Sequence, residues 1–274
     1  MAVRSDPGAI ERLSRVRQVF LDMDDTIYRG STLFPTTLPF LEFLKRRGIG
    51  RTFLSNNSSY GKEEYVDRLE AMGIPCSADD FYTSTDYAID YLKRHHPQYR
   101  SIYLLGMPAI EPEFSAAGFR IEPENDDVDA VIVAFDRKLD YERLCRASWL
   151  IWRGIPGFAT HPDVFCPTDR PTRLVDCGAV TACIEAATGK RLTVLGKPDP
   201  GMLVAGAARR GAAASECLMA GDRLATDVAV ARNAGALACH ITPGCDYSDT
   251  PETLRPDFSC RDLGELQKIW EDLR

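Results

Sequence analysis

Two carboxylates two residues apart set the chemistry open to this chain. Asp22 and Asp24 follow the apolar run Val19-Phe20-Leu21, and Thr26 stands two residues beyond. The run predicts a strand over Val19–Asp22, and a strand's period of two sends both acids the same way. Two like charges that close are costly unless a proton or a cation neutralises them. One acid could attack an electrophile, the other shuttle a proton, and a metal hold the charge. The pair alone is equally compatible with a solvated turn capped by Asp.

Three further predicted strands end in polar groups. Arg51–Leu54 runs into Ser55-Asn56-Asn57, Leu192–Leu195 into Gly196-Lys197-Pro198, and Cys217–Ala220 into Gly221-Asp222, with Asp227 five residues on. A hydroxyl and free amides at Ser55 and Asn56 can hold a phosphate oxygen, although the same residues also make turns and caps. A lysine held in the turn that Pro198 and Pro200 fix can neutralise a carboxylate and a phosphate together. Asp222 and Asp227 span a strand-to-helix loop and can approach one cation. No His or Cys clusters with them, so the donors suit Mg2+ rather than zinc.

These residues need a frame that brings strand ends together. Strands alternate with amphipathic helices: 36–48 is closed by Arg46, Arg47 and Gly48, and Lys62–Met72 places Tyr65, Val66, Leu69 and Met72 on one face. Helices are also expected at Gly201–Arg210, at Asp227–Asn233 and at Leu263–Leu273, the last as a cover. Alternation of this kind predicts a parallel sheet, with ligands beyond the carboxyl ends of its strands. The middle of the chain has its own alternation, with strands at Ile102–Leu105, Ala130–Ala134 and Gly157–Thr160 and helices at Tyr87–His95, Tyr141–Trp152 and Gly178–Thr188. The expected fold is α/β: a doubly wound, Rossmann-like core built from 1–82 and 190–274, with an α/β domain, 83–189, inserted between.

Composition narrows the partners. With 274 residues and a net charge of −7 without like-charge runs, nucleic acid and anionic membrane are poor partners. No apolar run approaches the ~20 residues of a membrane span. The N-terminal stretch lacks the apolar core of a leader, which makes the cytoplasm the default compartment. Nine scattered cysteines without a C-x-x-C pair predict reduced, mostly buried thiols, with Cys183 as an example.

Taken together, Asp22-x-Asp24-x-Thr26, Ser55-Asn56-Asn57, Gly196-Lys197-Pro198 and Gly221-Asp222-x-x-x-Thr226-Asp227 resemble the four motifs of the haloacid dehalogenase-like hydrolases. The large insertion resembles the α/β cap of the subclass holding p-nitrophenyl, phosphoglycolate and pyridoxal phosphate phosphatases and NagD-type nucleotide phosphatases. Tyr28-Arg29-Gly30, Val128-Asp129-Ala130-Val131 and Glu185-Ala186-Ala187-Thr188-Gly189 agree locally.

The resemblance implies a phosphatase of small phosphate monoesters. By it, Asp22 attacks phosphorus, and Asp24 protonates the leaving group and then activates water. Mg2+ would be held by the Asp22 carboxylate, the Asp24 backbone carbonyl and Asp222, with Asp227 acting through water. Ser55, Asn56 and Lys197 would hold the phosphoryl oxygens. Dimerisation through the cap is common in such proteins.

Three places depart from the subclass. Asp25 stands where Gly is usual, His161-Pro162-Asp163 replaces Asn-Pro-Asp, and Val175-Asp176-Cys177-Gly178 replaces Pro-Gly-x-Gly. The cap changes make His161 and Asp163 candidates for substrate selection. For His161 a hydrogen-bonded structural histidine is the competing reading. A phosphomutase or a non-catalytic phosphometabolite-binding protein on the same fold is the alternative function. A signalling receiver would be about half as long, and a dehalogenase would have no use for Asp24.

Overall fold

Gln18–Leu21 is buried at every position and lies in the middle of a six-stranded sheet. Such continuous apolar strands belong to parallel sheets covered on both faces. In the computed structural model, which describes residues 7–167 and 172–273, the order is Phe258–Cys260, Leu237–Ile241, Cys217–Gly221, Gln18–Leu21, Gly50–Ser55, Phe81–Thr83. Residues 1–6, the start of the stretch read above for a leader, lie outside the described residues.

From Gln18–Leu21 the chain builds one side of the sheet, through Gly50–Ser55 and Phe81–Thr83. It later returns to build the other side, beginning with Cys217–Gly221. Leu21 is level with Phe53 on one neighbour and with Ala220 on the other, both parallel. The strand order therefore reverses between Gln18–Leu21 and Cys217–Gly221, where α/β sheets place their ligands. Helices Thr37–Arg47 and Leu263–Glu271 pack together, with the Phe43 and Trp270 rings 6.0 Å apart. Asp262 caps the second of these by accepting from the Glu265 amide at 3.0 Å.

The chain divides into two compact units. One comprises Met1–Ser55, Val66–Tyr82 and Lys197–Arg274; the other comprises Asn56–Tyr65 and Thr83–Gly196. The second unit has its own parallel sheet, ordered Thr193–Val194, Gly157–Ala159, Ala130–Val133, Ser101–Leu105, Arg120–Ile121. Its core gathers Tyr103, Leu105, Val131, Val133, Leu150 and Ile184 from the sheet and from helices Tyr141–Trp152 and Cys177–Thr188.

Three expectations are corrected. The strand before Gly196 was expected in the core sheet, but Thr193–Val194 pairs in parallel with Phe158–Ala159 in the other one. Periodicity specifies a strand, not its partner. Asp227 does not open an α-helix. It sits in a π-turn, Leu224–Val228, and the helix proper is Ala229–Ala234. Cys183 is exposed, as are Cys145 and Cys245, while Cys177, Cys217, Cys239 and Cys260 are buried. Among the described residues the nine cysteines form no disulfide. The helix around Cys183 is apolar on its outer face as well, with Ala182 and Ala186 exposed beside it, so composition could not tell inside from outside. Among the described residues no helix is long and apolar enough to cross a membrane.

Candidate active site

The Asp22 amide still donates to the Ala220 carbonyl at 2.9 Å, so Asp22 is held at the last rung of the sheet. The Met23 carbonyl then accepts from the Thr26 and Ile27 amides at 3.2 and 3.0 Å and closes a tight turn. Asp25 takes the left-handed conformation inside that turn, with φ 59°. Glycine enters this region at least cost, and Asp is among the few other residues that tolerate it. Arg29 Nε donates to Asp25 Oδ1 at 2.5 Å and holds the turn from outside.

On the neighbouring strand Gly221 gives way to Asp222. A Cβ on Gly221 would lie 2.3 Å from Asp227 Cγ, so the carboxylate of Asp227 fills the space a side chain would need. Asp227 Oδ2 accepts from the Arg223 amide at 3.0 Å, and the Asp227 amide donates to the Arg223 carbonyl at 2.9 Å. The π-turn thus folds Asp227 back onto the strand end.

Lys197 joins the two strands. It follows Gly196, whose φ is 78°, and precedes Pro198 through a cis peptide. Its Nζ donates to Asp22 Oδ1 at 2.6 Å, to Asp227 Oδ1 at 2.7 Å and to the Leu54 carbonyl at 3.2 Å. Asp227 and Lys197 are almost wholly buried, and Asp22 shows 15 % of its side chain.

One carboxylate oxygen from each of Asp22, Asp222 and Asp227 lies within 4.8 Å of the others. Three carboxylates against one ammonium leave the cluster negative. Burial raises the pKa of Asp22 well above the ordinary carboxylate range; Lys197 opposes this, and Asp227 and Asp222 add to it. Burial, followed by the Asp227 charge, pushes Asp222 up to about 7. Burial works against the Lys197 ammonium, yet Asp22 and Asp227 outweigh it and raise its pKa. Asp222 Oδ1 is buried without a hydrogen-bond partner. An orphaned acceptor beside two more hard oxygens fits a divalent cation, which would draw Asp22 and Asp222 back towards the ionised form.

Asp24 is exposed at the mouth of its turn. Burial of its surroundings raises its pKa, with Arg68 acting against that. Ser55 is buried at the end of its strand, one residue past the carbonyl that Lys197 engages.

Asn56, His161 and Asp163 lie together in the second unit. Asn56 Nδ2 donates to Asp163 Oδ2 at 3.2 Å. His161 has no exposed surface; its Nδ1 is 3.4 Å from Asp163 Oδ2 and its Nε2 3.6 Å from Asp176 Oδ1. The imidazole thus faces two carboxylates, and neither ring nitrogen makes a hydrogen bond.

Known proteins resemble this chain in sequence and fold. Residues 19–120 match the profile described as haloacid dehalogenase-like hydrolase, and residues 194–266 a second one described as HAD-hydrolase-like. The crystal structure of 4-nitrophenylphosphatase from Thermotoga maritima is 36 % identical, covers 94 % of this chain and 98 % of its own, and superposes with a TM-score of 0.86. The chain belongs to the haloacid dehalogenase-like hydrolases. This hydrolase is also 28 % identical to the acid sugar phosphatase of Staphylococcus aureus over 92 % of its own length and 97 % of the relative's. A p-nitrophenyl phosphatase from Archaeoglobus fulgidus, 23 % identical over 92 % and 98 % of the two chains, shares the fold with a TM-score of 0.83. Within its family the hydrolase is a phosphatase.

Sequence reasoning overlooked three contributors to the hydrolase's site. The Leu54 carbonyl and the bare Gly221 act through backbone and space, for which residue type gives no signal. Arg68, from helix Lys62–Ala71, lies 3.8 Å from Asp24 Oδ1, and only its place beside the helix's apolar face could have drawn notice.

Proposed function

We propose that this protein hydrolyses small phosphate monoesters with Mg2+, through an aspartyl-phosphate on Asp22. The observation that carries the reading is the double contact of Lys197 Nζ, 2.6 Å from Asp22 Oδ1 and 2.7 Å from Asp227 Oδ1, beside the unpartnered Asp222 Oδ1. Lys197 favours the ionised form of Asp22, which can attack without first losing a proton. It takes Oδ1 and leaves Oδ2 for the electrophile.

Asp22, Asp222 and Asp227 would hold the metal, together with the Asp24 backbone carbonyl. When bound, Mg2+ neutralises charge on the phosphoryl oxygens. In the first half-reaction an Asp22 oxygen bonds to phosphorus, the phosphorus–oxygen bond to the leaving group breaks, and the Asp24 proton passes to the departing oxygen. In the second, water attacks phosphorus and gives its proton to Asp24; the bond to Asp22 breaks and inorganic phosphate leaves. Ser55, Lys197 and Asn56, next in the chain after Ser55, are assigned to the phosphoryl oxygens. Residues 83–196 are assigned as the main part of the cap, with Asp163 and the neighbouring His161 as its selective pair. The working compartment is the cytoplasm.

The test is release of phosphate from p-nitrophenyl phosphate with Mg2+. Activity is expected to vanish in Asp22→Asn and in EDTA. An Asp22→Asn enzyme that turns over at the wild-type rate rules the mechanism out. A screen across sugar phosphates, nucleotides, phosphoglycolate and pyridoxal phosphate then ranks substrates.

A further inference from the structure

Asp24 has to deliver a proton along one direction, yet its side chain is about half exposed, at 51 %. An exposed carboxylate samples several staggered rotamers, and most of them point away from the reacting oxygen. General acid catalysis depends first on reach and alignment. Some group must therefore select the rotamer.

Arg68 is built to do so. Its Nη2 donates to the Gly30 carbonyl at 2.9 Å. Its guanidinium carbon lies 4.5 Å from the centroid of the Tyr28 ring, and that ring is fully buried. Asp24 and Tyr28 are themselves tied by a backbone bridge. One planar cation thus meets three points of the loop that carries the acid: the Gly30 carbonyl, the Tyr28 face and Asp24 Oδ1, the last at 3.8 Å. A guanidinium stacked on an aromatic ring and bonded to a carbonyl keeps little freedom to lose when it meets a carboxylate. A flexible lysine could not satisfy the three at once. At 3.8 Å the contact is an ion pair rather than a hydrogen bond, so it orients Asp24 by charge without tying up a carboxyl oxygen.

We propose that Arg68 is the positioning residue of Asp24, fixing the rotamer from which the acid protonates the leaving group. The proposal rests on the phosphatase reading above. Among the described residues Arg68 meets Gly30, Tyr28 and Asp24 and none of Asp22, Lys197, Asp222 and Asp227, so its loss should spare attack at phosphorus.

The experiment compares two probes of similar shape, p-nitrophenyl phosphate and phenyl phosphate, on wild type, Arg68→Met and Arg68→Lys, with melting temperatures measured alongside. The nitrophenolate leaves readily without a proton, whereas phenolate gains from one. Arg68→Met is expected to lower kcat on phenyl phosphate by about ten-fold more than on p-nitrophenyl phosphate, with KM little changed and Arg68→Lys between the two. Equal loss on both probes, or none on phenyl phosphate, overturns the proposal. Should Arg68→Met fail to fold, Arg68→Gln is read against the same ratio. Wild type that turns over neither probe overturns the phosphatase reading instead, and the positioning role with it.

Discussion

Gly221 and Asp227 compete for one volume: the space a Cβ on Gly221 would occupy is filled by the Asp227 carboxylate, 2.3 Å away. That carboxylate is the one Lys197 needs on the far side of Asp22. Gly221→Ala should therefore displace Asp227 rather than be absorbed by a flexible side-chain end. We expect a loss of about 1–3 kcal/mol in stability, as for overpacked cores, together with a large fall in kcat. Calorimetry and p-nitrophenyl phosphate kinetics on one variant check both.

Lys197 is a buried cation whose removal leaves Asp22 and Asp227 facing each other. Lys197→Met should cost about 3–5 kcal/mol, the usual penalty for breaking a buried charge cluster on one side. Its kcat should fall by about a hundred-fold or more. Adding Asp227→Asn removes one stranded charge, so the double variant should regain part of the stability and none of the activity. Chemical denaturation separates the two outcomes.

Asp222 Oδ1 waits for a partner, and a ligand that binds only the folded chain stabilises it. Mg2+ at about a hundred times its dissociation constant should add about 2.7 kcal/mol. The melting temperature should rise with Mg2+ in wild type and stay flat in Asp222→Asn. A wild-type melting curve indifferent to Mg2+ would count against these three acids as ligands.

Glu113, in the second unit, gives a pH signature separate from the Asp22, Asp222, Asp227 and Lys197 cluster. Burial raises its carboxyl from the ordinary 4.5 to about 7, although the Lys62 amide donates to it at 2.9 Å. An acid with a raised folded pKa favours folding fully below 4.5, and that contribution is lost as pH rises through about 7. The gap amounts to about 3 kcal/mol, with stability falling across that window. Glu113→Gln should flatten the fall and be the more stable chain at pH 8. Denaturation midpoints at pH 5 and pH 8 test the sign.

The sequence already displayed the strand ends, because apolar runs terminated by Asp22, Ser55 and Asp222 carry their own punctuation. The boundaries of Tyr141–Trp152 agree with expectation to the residue, since its helical periodicity is unbroken. What stayed hidden depends on partners far along the chain. Thr193–Val194 reads as a strand but not as a strand of the smaller sheet. The turn around Asp227 folds its carboxylate into the space beside Gly221, a neighbour with no side chain at all. His161 looked available to a ligand because no local pattern announces the two carboxylates, Asp163 and Asp176, that flank its ring.

The reversal of strand order also fixes when the active site can exist during synthesis. Asp22 leaves the ribosome early, but the strand on its far side begins only at Cys217, and the Lys197 that neutralises it comes little sooner. Between them the whole five-stranded sheet of the second unit is completed, from Ser101 to Val194. Domains tend to fold in order of emergence. Asp22 must therefore wait on a half-built sheet while a later segment folds ahead of it. A nascent or prematurely terminated chain that stops short of Lys197 carries Asp22 without the ammonium that neutralises it and without Asp222 and Asp227 beside it.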